Sequence, residues 1–256
     1  MPPRTRVGKT LAAYLDGLGG EPTVIVMGAS ALLVLAHYQG SVGAYHALWG
    51  ARFDGPPASG VLGHLWWFGS SVVFYLVAPL FLSAITGGSF HRRYGLGLGD
   101  WRAGLSISAL FLVVMIPATA FASKWDAFRG IYPLAGGAAY TLVREGKPSV
   151  SLGLFALYEA GYLAYFVAWE FLFRGWLLNG LLPHWGKVAA ILTQVLPFAV
   201  MHLGKAEPEA LGSIIAGVAL GVLALRTRSF WYGAGIHGVV AIWMDWLSAA
   251  PALRGA

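Results

Sequence analysis

"AWEFLFRGWLLNG", residues 168–180, sets one acid and one base, Glu170 and Arg174, inside a run that is otherwise almost wholly apolar and aromatic. "LFALYEAGYLAYFV" (154–167) leads directly into it, so no polar face is available on which a solvated helix could rest. A run this long and this apolar reads as a helix in hydrocarbon, where both charges are costly. The composition extends that reading to the whole chain. Of 256 residues, 57% are hydrophobic and 11% charged, with a mean hydropathy of +0.66. Soluble domains carry about 25% charged residues, so the polar surface of a water-soluble fold is missing. The net charge of +6 is spread over loops, which suits a lipid bilayer with anionic headgroups and not a nucleic acid. With no cysteine, disulfides, thiolate metal sites and cysteine nucleophiles are excluded.

Working outward, seven stretches are long enough to cross a hydrocarbon core of about 20 residues: about 22–39, 61–86, 104–123, 152–181, 187–203, 209–226 and 230–249. They lack strand alternation, and hydrocarbon demands internal backbone pairing, so the predicted fold is all-α, a polytopic transmembrane bundle forming a single membrane domain over 1–256. An eighth, shallower helix is expected at the interface within 124–150, where aromatics mix with charges. The basic N-terminus has no compact apolar run followed by a small-residue cleavage site. Placing the N-terminus in the cytoplasm puts nine loop cations inside (Arg4, Arg6, Lys9, Arg92, Arg93, Arg102, Lys187, Arg226, Arg228) against seven outside. Four of the seven lie in the single long 124–150 connection, so the short loops carry the bias for a cell-membrane protein with a cytoplasmic N-terminus.

Ionisable residues within spans are functional candidates by default. Here they are Glu159, Glu170, Arg174, His202, His237 and Asp245, with Glu207 and Glu209 just beyond a span end. Glu170 and Arg174 stand four apart in the order that favours an intrahelical ion pair, with Arg174 expected to hold Glu170 ionised and oriented. His202 follows Pro197 in "PFAVMH", and His237 lies between Gly235 and Gly238. Glu159 is some 16 Å from Glu170 along a helix and reads as a rim residue. Asp245 is a candidate for orienting His237. A carboxylate, two imidazoles and a guanidinium together can activate water and stabilise an oxyanion. They suit peptide hydrolysis inside the bilayer, and spacing alone leaves a proton-coupled transporter open. Alternating topology places His202 near the outer end of its span and Glu170 inward of the middle of its own. Levelling them requires a kink at Pro197 or a long tilted helix.

"WEFLFRG" (169–175), "FAVMH" (198–202) and "GIHGVVAIWMD" (235–245), in this order on successive helices, resemble the three motifs of the CPBP family of intramembrane proteases. These are the type II CAAX prenyl endopeptidases and bacteriocin-processing membrane proteins. Similarity extends over about 94–249, including "YGLGLGDWRAGL" (94–105), with the motifs on the helices of 152–249. The resemblance implies an intramembrane endopeptidase acting on a membrane-inserted or lipidated protein or peptide, with Glu170, Arg174, His202 and His237 at the site. It also implies a site that needs no cofactor. The alternative is zinc held by Glu170, His202 and His237, which would leave a fourth position open. Two departures stand out. Trp169 takes the place of the family's first glutamate, and Ala241 that of its last Asn or Asp, for which Asp245 one turn later is a substitute. Glu170, assisted by Glu207 or Glu209, is expected to act as the base that activates water. The competing reading is a catalytically silent relative that binds membrane segments.

Overall fold

The computed structural model describes residues 20–53, 59–85, 93–136, 140–144 and 147–254. Arg4, Arg6, Lys9 and Arg92, on which the orientation argument leans, lie outside the described residues. The architecture is a bundle of long helices: α1 (Glu21–Gln39), α2 (Ser59–Val72, continued by a π-helical turn at Val73–Val77 and by Ala78–Ile85) and α3 (Trp101–Ala122). Then come α4 (Leu152–Glu170), a π-helical segment (Phe171–Leu178), α5 (Asn179–Val200), α6 (Glu207–Thr227) and α7 (Trp231–Arg254). Apolar side chains such as Val113, Leu196 and Ile215 stand exposed around the outside, as a multi-pass membrane protein requires.

Among the described residues, five helical stretches are long and apolar enough to cross a membrane: Glu21–Gln39, Val61–Ile85, Trp101–Ala122, Leu152–Val200 and Glu207–Thr227. The fourth has 49 residues, which is roughly 70 Å of helix at 1.5 Å per residue and more than twice the hydrocarbon thickness of about 30 Å. It therefore doubles back. Gly186, with φ 72 and ψ 174, leaves helical geometry there, a conformation that costs little only without a Cβ. Ring contacts of Trp169 with His202 at 5.9 Å and Phe173 with Phe198 at 5.3 Å show that the two arms run antiparallel. Glu170 and His202 each lie 16 residues from Gly186, so equal arms bring them level. The expected offset in depth disappears through this turn.

Two expectations need correction. Among its described residues the 124–150 connection contains no further long helix. It forms a four-residue helix (Asp126–Arg129) and an antiparallel pair of short strands, β1 (Thr141–Arg144) and β2 (Lys147–Val150), the one departure from an all-α architecture among the described residues. The span expected at 230–249 forms as α7, yet it is absent from the stretches apolar enough to cross. His237, Asp245 and several glycines lower its apolarity, and packing against α3 and α4 holds it in place.

Local chemistry places the ends. Ser151 Oγ accepts from Leu154 N at the start of α4, and Asp100 Oδ1 accepts from Ala103 N at the start of α3. Tyr94–Asp100 is fastened along the α6–α7 turn: Asp100 N donates to Thr227 O, Trp231 Nε1 to Leu96 O at 2.8 Å and Tyr232 Oη to Leu98 O at 2.7 Å. Arg226 also pairs with Asp100 at 2.8 Å. These bonds fix where α7 begins, and so the position of His237.

Candidate active site

On α4 the buried residues Phe155, Tyr158, Glu159, Tyr162, Tyr165, Phe166 and Trp169 recur at three- and four-residue spacing, one stripe facing inward. From Phe171 to Leu178 every residue is buried, because this segment runs through the centre of the bundle. It is also π-helical, a geometry that often accompanies functional sites. Asn179 Nδ2 donates to Arg174 O at 2.8 Å, occupying a carbonyl in that irregular turn.

Glu170 and Arg174 are each 0% exposed, and Arg174 Nη1 donates to Glu170 Oε1 at 2.9 Å. The same oxygen lies 2.7 Å from His237 Nδ1. A carboxylate paired with arginine only accepts, so Nδ1 donates this hydrogen bond, and Nε2 is left unengaged by Glu170. Phe166 stacks on the His237 ring at 5.1 Å and 16°. The imidazole is thus held at one edge by the carboxylate and on one face by an aromatic ring. Its side chain is 19% exposed, whereas Glu170 is sealed. His202 Nδ1 donates to Phe198 O at 2.7 Å, which leaves its Nε2 free in the same way. Phe198 joins the parts: its ring meets His202 at 4.6 Å and His237 at 5.9 Å, and Arg174 Cζ lies 4.1 Å above it.

Glu170, Arg174, His202 and His237 are therefore brought together. Asp245 is not among them, which corrects its expected role: its Oδ1 accepts from Leu134 N at 3.3 Å, two helical turns from His237. Neither loop acid assists Glu170. Glu207 is exposed, and Glu209 accepts from Tyr132 Oη at 2.8 and 3.0 Å. Glu159 is no rim residue; it is 7% exposed. Trp169 occupies the flank of His202, its Nε1 buried without a hydrogen-bond partner among the described residues. Among the described residues no three His, Asp or Glu side chains are grouped closely enough to hold a metal ion.

Sequence reasoning missed Gly233. A Cβ there would stand 2.5 Å from Glu170 Oε2 and 3.1 Å from its Cδ, so only glycine leaves room for the carboxylate. Its signal was visible, one turn before His237 in "YGAGIHG", yet it carries no chemistry of its own. Phe198, the first residue of the "FAVMH" motif, and Phe166 are the surfaces against which the imidazoles are set.

No curated protein and no solved structure matches the chain. Residues 151–243, which carry Glu170, Arg174, His202 and His237, are similar to the family described as type II CAAX prenyl endopeptidase Rce1-like.

Proposed function

We propose that the chain is an intramembrane endopeptidase in which Glu170 acts through His237. The observation that carries this is the 2.7 Å contact from His237 Nδ1 to a carboxylate that Arg174 already engages at 2.9 Å. Buried charge held by a cation stays ionised and orients the imidazole, as the carboxylate does in a hydrolase triad. His237 Nε2 takes a proton from water, and the hydroxide adds to the scissile carbonyl carbon. His237 then returns the proton to the leaving amine as the C–N bond breaks. His202 Nε2 accepts a hydrogen bond from the same water and aligns it. In this account His237 and His202 meet the reacting water, and Glu170 and Arg174 are positioning residues. The substrate class is a membrane-held protein or peptide, with a lipidated C-terminus the first choice from the family's description. No metal takes part, and the enzyme works in the cell membrane with its N-terminus in the cytoplasm.

One observation favours a second reading, a silent relative that binds such segments without cutting them. Trp169 fills the place of the family's first glutamate and packs on His202. Proteoliposomes carrying the purified chain and lipidated C-terminal reporter peptides separate the two. New termini seen by mass spectrometry with wild type and absent with His237→Ala support the protease. Saturable binding with intact reporter establishes the second reading.

A further inference from the structure

Three tryptophans, Trp101, Trp185 and Trp231, stand exposed at one end of the bundle. It is the end where α1 begins, since His184 Nε2 lies 3.2 Å from Glu21 Oε2. Indoles on the outside of a membrane protein collect at headgroup depth, where the ring is half in hydrocarbon and the N–H is wet. Four exposed cations share this level: Arg102, Lys187, Arg226 and Arg228. Asp100 N donates to Thr227 O at 2.9 Å, so Arg102 lies two residues past one end of that bond, while Arg226 and Arg228 flank the other. Lys187 joins them by register. A Cβ at Gly221 would meet Ile191 at 3.6 Å, and one turn back along α5 matches one turn on along α6, which sets Lys187 level with Leu225.

The acids nearby do not balance these cations. Glu21 is occupied by Arg93 and His184. Asp100 pairs with Arg226 at 2.8 Å and lies in the field of Arg102. Among the described residues, four cations therefore share one acid. The Arg102 guanidinium lies over Trp101, 5.4 Å from the ring centroid, which holds its charge at the depth of the indole. Arg228 supplies an independent sign. It closes α6 at φ 57 and ψ 37, the left-handed position usually given to glycine because a Cβ is strained there. The α6 dipole favours a cation in that turn, but Arg226 already provides one. Arg228 is exposed and has no hydrogen-bond or ion-pair partner among the described residues. A strained backbone that keeps a long cationic side chain, where glycine would be relaxed, points to an anion outside the chain. At headgroup depth that anion is a lipid phosphate. A zwitterionic lipid brings its own cation, so the surplus of positive charge selects a net-anionic one.

We propose that Arg102, Lys187 and Arg228, set among Trp101, Trp185 and Trp231, bind the headgroup of an anionic phospholipid at the α6–α7 turn, so that an anionic leaflet fastens the start of α7 and with it His237. The site lies at the opposite end of α5 from His202, and its test needs no peptidase substrate. The full chain in a neutral detergent is unfolded thermally against phosphatidylglycerol, with phosphatidylcholine and inorganic phosphate as comparisons at matched ionic strength. Phosphatidylglycerol should raise Tm saturably by several degrees, and the other two should not. Arg228→Gly relaxes the left-handed backbone, so without lipid its Tm should equal or exceed that of wild type. Its phosphatidylglycerol midpoint should nevertheless rise about five-fold, the usual worth of one cation at an anionic surface. Arg102→Gln with Lys187→Gln, both at exposed positions, should raise the midpoint about 25-fold. A Tm that phosphatidylcholine raises as far as phosphatidylglycerol overturns the proposal, as does an unmoved midpoint in Arg228→Gly or in the double variant. A lipid-free Tm below wild type in Arg228→Gly assigns that arginine to the fold and removes it from the site. An equal response to inorganic phosphate overturns the lipid as the source of the anion.

Discussion

Gly233→Ala tests the proposed dyad without touching any group that reacts. The new Cβ would meet Glu170 Oε2 at 2.5 Å, and ordinary contact needs about 3.4 Å, so something must yield by roughly 0.9 Å. The carboxylate is pinned by Arg174 at 2.9 Å and His237 at 2.7 Å. Its simplest escape turns Oε1 away from Nδ1 and breaks that bond. Overpacking of this kind costs about 1–3 kcal/mol, while alanine in place of a helical glycine returns about 0.5–1 kcal/mol. Stability should therefore fall by at most about 2.5 kcal/mol. Turnover should fall much further, by about 10²-fold, the usual penalty for a misplacement near 1 Å. Two assays run side by side: turnover in proteoliposomes, and the nitrogen-15 spectrum of labelled histidine, in which the His237 Nδ1 proton bonded to a carboxylate resonates far downfield. Loss of that resonance with a Tm within a few degrees of wild type is the expected result. Wild-type turnover together with an unchanged downfield proton would refute the coupling of Glu170 to His237.

Arg174→Ala leaves Glu170 buried without its cation and should cost about 3–5 kcal/mol; Glu170→Gln with Arg174→Met should regain most of the Tm and none of the activity, as read by thermal unfolding and turnover. A zinc-selective chelator should leave turnover unchanged and the purified chain should carry well under one zinc, whereas activity lost to chelation and restored by zinc would put a metal on the histidines. At the membrane edge, the Ala103 N–H and then Arg226 hold the Asp100 carboxyl below the usual range. Its contribution is present in full above the ordinary carboxylate pKa of about 3.9 and disappears as pH falls through the depressed value. Asp100→Asn should flatten the acid side of a Tm-against-pH curve, and an unaltered acid limb would show the cap to be idle.

Much of this protein follows from its sequence for a simple reason: hydrocarbon admits few structures. A run such as 152–181 must pair its own backbone, and a charge within it must have a partner. The helices are thus legible from residue type and spacing, and so are the ionisable candidates, among which the motif resemblance singles out Glu170, Arg174, His202 and His237. What pairs with what is a matter of rotation and depth, which hydropathy does not encode. Asp245 and Glu159 illustrate the limit. Both are the right residue types on the right helices, yet Asp245 bonds to Leu134 N, 111 positions away, and Glu159 lies buried where a rim was expected. The levelling of Glu170 with His202 depends on one backbone conformation at Gly186, and the room for the carboxylate depends on a missing Cβ at Gly233. Neither residue has a side chain to mark its role. Their contribution is space and backbone freedom, and these acquire meaning only when α4, α5 and α7 are packed together.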